Sequence, residues 1–237
     1  MHLSLNALEQ HFLTMCTLFI AIDVHPDYPL VVAGNRDEFY RRETAALQDW
    51  GDIVGGRDLQ QGGHWLAVDK LGRWAALTNY RDPENKVDSP HTRGDLVKDY
   101  LQQSLSISDY VDSIERDNRP YEGFNLVMGD AQGRVGYYSN ITRKLSYLSA
   151  GVHGVSNALL NTPWPKVVEG KTVLEQLLKR NANLSPERIF SLLANKKQAA
   201  KHQLPSTGIP EQMERLLSSL FIRSPVYGTR SSALLTW

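Results

Sequence analysis

Two apolar stretches, Leu18 to Val24 and Leu30 to Ala33, are separated only by His25-Pro26-Asp27-Tyr28-Pro29. A parallel crossover needs roughly a dozen residues or more, so a link this short predicts an antiparallel hairpin. The two prolines cannot continue a ladder and place the turn between the runs. The second strand runs straight into Gly34-Asn35-Arg36-Asp37-Glu38, a polar cluster closing an apolar run. Hairpin geometry returns that cluster to the start of the first strand and sets Asp37 near Cys16.

The rest of the chain extends this pattern without βαβ alternation. Trp65–Asp69 and Arg73–Thr78 read as strands across a Lys70-Leu71-Gly72 turn, and the second delivers Asn79, Tyr80 and Arg81 to its end. Thr92 to Leu105 has the spacing of an amphipathic helix, and Ser108 reads as the cap of another. Strands follow at Phe124–Met128, Val135–Ser139 and Lys144–Leu148, and Gly151–Ser156 leads to Asn157. Pro165 to Leu178 reads as a helix with Val168, Leu174, Leu177 and Leu178 as its apolar residues. Ser185-Pro186-Glu187 opens the next helix, and Met213 to Leu220 carries a short apolar face. The last strand follows Tyr227. Strands, helices, strands, helices and strand in that order predict an α+β fold of antiparallel sheets with segregated helices. The segments 55–64, 82–92 and 195–208 read as loops around a pocket. The glycines of the first match no phosphate-binding fingerprint.

We read residues 15–237 as one domain, and 1–14 as an N-terminal extension, either a mis-assigned start or a propeptide. Ser232 to Trp237 reads like the middle of a strand, so the domain is expected to continue past Trp237.

Lys and Arg balance Asp and Glu, leaving no net charge to recommend nucleic acid as a partner. Residues 1–14 lack the basic start, unbroken apolar stretch and cleavage site of a secretory signal. No apolar run reaches the roughly 18 residues of a membrane span. A lone cysteine excludes an internal disulfide and any multi-cysteine metal site, and makes the cytoplasm the expected compartment. The histidines at 2, 11, 25, 64, 91, 153 and 202 contain no pair at metal-site helical spacing, so no metal is assigned.

The lone cysteine follows a methionine. If the chain is trimmed after Met15, Cys16 carries a thiol and a free α-amine, a nucleophile and its base on one residue. The bland alternative is a small buried hydrophobe. Acyl transfer by such a thiolate needs fixed donors for the oxyanion. Asn79 and Asn157, each at a strand end, could supply them or could be turn residues. Asp37 could hold the amine or thiol. Arg36 and Arg230 could stabilise a thiolate, orient Asp37, bind a substrate carboxylate, or form surface ion pairs. Haem coordination by Cys16, His64 or His153 has no motif behind it.

Six stretches together resemble the NRDE family, typified by the transport and Golgi organisation protein 2 group. They are Met15-Cys16-Thr17-Leu18, Gly34 to Phe39, Leu77 to Arg81, Gly154 to Leu160, Thr162 to Lys166, and Tyr227 to Ser231. The family is similar in turn to the choloylglycine and penicillin V acylases among N-terminal nucleophile (Ntn) hydrolases. The resemblance implies a four-layer αββα sandwich of two antiparallel sheets and cofactor-free hydrolysis of a small-molecule amide, or of a thioester. Its catalytic residues would be Cys16, Asp37, Asn79, Asn157 and Arg230, supported by Asn35, Arg36, Glu38 and Tyr80. It equally implies an alternative, a haem or acyl-chain carrier on the same fold, since the eukaryotic relatives are associated with Golgi organisation, lipid metabolism and haem trafficking. One position departs from the acylases, which carry an arginine where this chain has Gly34. Arg36, one residue before Asp37, lies on the opposite sheet face from it, and on that ground reads as a poor substitute.

Overall fold

Ile22 lies opposite Leu30 and Met15 opposite Asp37 in an antiparallel hairpin of β1 (Met15–Ile22) and β2 (Leu30–Phe39). This is a computed structural model, and it describes residues 15–83, 87, 89, 91–180 and 183–237. The extension read at 1–14 and part of the 82–92 loop lie outside the described residues. The Asn35-Arg36-Asp37-Glu38 cluster does not end the second strand. The strand continues through all four residues, and every residue of β2 is buried.

The strands that follow are β3 (Thr44–Asp49), β4 (Ile53–Asp58), β5 (His64–Asp69), β6 (Trp74–Asn79), β7 (Phe124–Gly129), β8 (Val135–Ser139), β9 (Lys144–Tyr147), β10 (Gly151–Val155) and β11 (Tyr227–Thr236). The helices are α1 (Gly94–Gln102), α2 (Ile107–Asp117), α3 (Pro165–Arg180), α4 (Pro186–Leu193) and α5 (Glu211–Leu217). One sheet has the order β10-β1-β2-β11 and the other runs β3 through β9 in sequence order. Pairing within both is antiparallel.

Strand alternation divides the interior into three apolar layers. Leu18, Ile20, Leu30 and Val32 meet Trp65, Trp74, Val127 and Tyr137 between the sheets. Phe19, Ala21, Val31 and Ala33 face α3 and α4 through Leu174, Leu178, Ile189 and Leu193. Ala75, Leu77, Leu126 and Met128 face α1 and α2. The fold is thus the expected α+β sandwich of helices, sheet, sheet and helices.

Three local expectations need correction. The glycine-rich stretch is not wholly loop, because β4, paired with β3 and β5, runs through its first residues. Gly55 is in β4, where a Cβ would come within 2.8 Å of the Ala67 Cβ and the Leu66 carbonyl oxygen on β5. The glycine there serves close strand packing rather than a turn. The cap of α2 is Ser106, which accepts from Asp109 N, and not Ser108. On α3 the buried residues include Lys166, Gly170, Leu174 and Leu178, spaced four apart, while Val168 is exposed. Gly170 sets that phase, since a Cβ there would collide with the Phe19 ring of β1. Among the described residues, no helix is long and apolar enough to cross a membrane.

Candidate active site

Cys16 belongs with the residues of β1 that face between the sheets, while Met15 packs with Phe39 and Tyr227 on the other face. Arg36 is the residue opposite Cys16, and Asp37 the one opposite Met15. Directly opposed residues share a face. Arg36 is therefore on the thiol side of the sheet, and Asp37 points to the helical side. The expected opposite faces of Arg36 and Asp37 are thus present, but they do not count against Arg36. Positions 34 and 36 are two apart and share a face, so Arg36 occupies the face on which an arginine at 34 would stand. An arginine at 34 has no room in this chain: a Cβ there would lie 2.6 Å from Thr17 O and 3.1 Å from Leu18 Cδ1.

Arg36 is itself well anchored. It donates to Thr44 Oγ1 at 2.8 Å and to Asp58 Oδ2 at 3.3 Å, with Glu38 Oε2 at 3.5 Å. Arg42 joins the same group through Asp58 at 2.6 Å. Burial pushes the Cys16 thiol up to about 12, with Arg36 opposing and Asp37 and Glu38 reinforcing. The Arg36 charge, shared with two carboxylates, does not offset desolvation. In a chain that keeps Met15, the thiol is protonated at neutral pH.

Three strand ends meet at Cys16. Ser156, just past β10, has its Oγ 3.0 Å from Cys16 O, 3.1 Å from Asn157 Oδ1 and 3.2 Å from Thr17 Oγ1. Asn157 donates from Nδ2 to the Asn79 carbonyl at the end of β6, 2.8 Å away, and its own carbonyl accepts from Arg81 N at 2.8 Å. The two asparagines named from sequence are thereby fixed to each other and to the start of β1.

The remaining expected site residues separate. Arg230 sits at the bulge of β11, where Nη1 donates to Tyr40 O at 2.7 Å and the guanidinium lies over the Tyr40 ring. Asn35 is fully buried on the helical side. It donates to Leu193 O and Leu220 O and accepts from Ser232, so it binds the helical layer to the sheet. Glu38 accepts from Phe39 N and pairs with Arg36 and Arg42. Tyr80 donates its backbone N–H to Gly123 O.

Asp37 stands in a second group whose other members were missed in the sequence. Asp37 accepts from Thr229 Oγ1 at 2.5 Å, and its Oδ2 is buried without a hydrogen-bond partner. Burial holds its carboxyl above the usual range, with Lys166 as the main opposing charge. Lys166 is buried, and desolvation lowers its pKa. Arg81 reaches from the end of β6 to Glu214 of α5 at 2.7 Å, and its Nη2 lies 3.2 Å from Met15 Sδ. Lys166 had a readable signal. It follows Pro165 at a helix start and heads the four-residue stripe that ends at Leu178.

A family model described as Transport and Golgi organisation 2 matches residues 15–237. The chain belongs to the Transport and Golgi organisation 2 family. The family's Transport and Golgi organization protein 2 homolog of Bos taurus is 33% identical over 243 residues, spanning 93% of this chain and 88% of that protein. The Homo sapiens homolog is 32% identical with the same coverage. The Drosophila melanogaster protein is 31% identical, over 93% of this chain and 87% of its own. Among solved structures, penicillin V acylase from Agrobacterium tumefaciens superposes with a TM-score of 0.52 at 13% identity, covering 93% of this chain and 79% of that one. The N-acylethanolamine-hydrolyzing acid amidase ortholog of Caenorhabditis elegans gives 0.50 at 13% identity, covering 76% and 86%. At that identity the likeness shows the fold, which this family member shares with Ntn-type acylases.

Proposed function

We propose that this chain is a cysteine-dependent hydrolase of a small-molecule amide, acting through Cys16 after removal of the chain up to Met15. The observation that carries the reading is the convergence of three strand ends on Cys16, fastened by Ser156, Asn157 and the Asn79 carbonyl. Hydrolysis would proceed by acyl transfer. The Cys16 sulfur attacks the carbonyl carbon as the α-amine takes the thiol proton. The carbon–nitrogen bond then breaks as that proton passes to the leaving nitrogen. Water cleaves the resulting thioester, and no cofactor enters these steps. In this reading the side-chain amides of Asn79 and Asn157 would serve the oxyanion. Arg36 supplies positive charge on the thiol face. A reducing compartment such as the cytoplasm would keep the lone thiol free.

Intact mass of the purified protein, read with hydrolysis of a panel of N-acyl amides, tests the reading. A chain beginning at Cys16 that loses turnover at least about a thousandfold in Cys16→Ala supports it. A mature protein that retains Met15 and cleaves no amide overturns it. Titration with haem, followed at the Soret band, separates the carrier alternative. Saturable binding that Cys16→Ala abolishes, without amide turnover, would move the assignment to a carrier.

A further inference from the structure

Around Met15 the fold places buried polar atoms that have no hydrogen-bond partner: Asp37 Oδ2, Lys166 Nζ, Arg81 Nε and Tyr227 Oη. Native folds rarely leave such atoms unsatisfied, and four in one neighbourhood point to an occupant more polar than a thioether. Met15 lies directly opposite Asp37. One carbonyl carbon separates its Cα from the Cys16 nitrogen. Removal of Met15 therefore turns that nitrogen into an amine at the place where the unsatisfied groups stand.

We propose that Lys166 is a positioning residue for the Cys16 α-amine: in the chain cut before Cys16, the amine sits between Asp37 and Lys166, donating a hydrogen to Asp37 Oδ2 and accepting one from Lys166 Nζ. This rests on the Ntn reading of Cys16. A carboxylate only accepts and an ammonium only donates, so the group that satisfies both must do both. A neutral amine does, whereas a protonated one has no lone pair for Lys166. The arrangement thus selects the free base that catalysis requires. The other charges around it leave this balance in place. Glu214 is paired with Arg81 at 2.7 Å. Glu38 stands on the thiol face of β2 with Arg36 and Arg42. Tyr227 stays neutral, because burial raises its pKa well above the ordinary value.

Because Cys16 is the chain's lone cysteine, labelling with 15N-cysteine gives a single α-amine resonance, whose pH titration reads the amine directly. The protein is prepared by cleaving a leader immediately before Cys16, so the measurement does not depend on processing in the cell. The wild-type midpoint is expected below the ordinary value of about 8. Lys166→Met should raise it by about one pH unit or more, and Lys166→Arg should keep it low. A wild-type midpoint at or above about 8 overturns the proposal even if Lys166→Met fails to fold. So does a folded Lys166→Met protein with an unchanged midpoint. Expected midpoints without amide turnover would sink the hydrolase reading and leave the amine placement standing. Turnover with an unmoved midpoint would do the reverse.

Discussion

A thiol held at about 12 is chemically quiet, and at Cys16 the cause is burial rather than a missing partner. At pH 8 it is about one ten-thousandth thiolate, against about a quarter for a free cysteine near 8.5. With Met15 retained, iodoacetamide should therefore alkylate Cys16 more than about a hundredfold more slowly than free cysteine, with the rate still rising at pH 10. Asp37 titrates in the opposite regime. Its folded pKa, about 6, is raised above the unfolded value, so its contribution to stability is complete below about pH 4 and is lost as pH rises through about 6. Urea midpoints at pH 4 and pH 7 should show that loss in the wild type and a smaller one in Asp37→Asn. Asn35 is a structural member of the motif. Asn35→Ala strands two carbonyls and the Ser232 hydroxyl in the interior and should cost about 3 kcal/mol in urea unfolding, with Cys16 alkylation unchanged if its role is packing alone.

At the scale of elements, β2 carries the site because alternation sorts its four polar residues onto two faces. Arg36 and Glu38 serve the thiol side, and Asn35 and Asp37 the helical side. At Gly34 β2 lies tight against β1, with the Thr17 carbonyl oxygen 2.6 Å from where a Cβ would be. That obstacle is backbone and cannot rotate away. Gly34→Ala should cost about 2 kcal/mol by urea unfolding. Helix α3 is placed by the same kind of fit. Gly170 against Phe19 fixes its rotation, and that rotation turns Lys166 inward.

At the scale of the molecule, the candidate site lies where the two sheets and the outer layer are joined. Asn157 ties the end of β10 to the end of β6, and Arg81 continues from β6 to Glu214 on α5. Both members of that ion pair are buried, so removing one leaves the other's charge desolvated. Glu214→Ala should destabilise by about 3–5 kcal/mol. Amide hydrogen exchange should rise first at the start of β1 and at the end of β6, since Arg81 also touches Met15.

What the sequence determined by itself was the order of the elements other than β3 and β4, and the hairpin that brings Asp37 near Cys16. Both are local consequences of apolar spacing, short links and turn residues. It also singled out Cys16, Asn79 and Asn157, because a lone cysteine after methionine and an asparagine at a strand end can be read in place. Which face each residue serves was decided by register. Alternation alone put Arg36 and Asp37 on opposite faces, but only the pairing with Cys16 showed that the Arg36 face is the thiol's. The β3–β4 hairpin was missed because the glycines that permit close strand packing look the same in sequence as glycines that make turns. Lys166, Arg81, Glu214 and Tyr227 come from distant parts of the chain. Only packing brings them around Met15, and only there does their burial give them a chemical meaning.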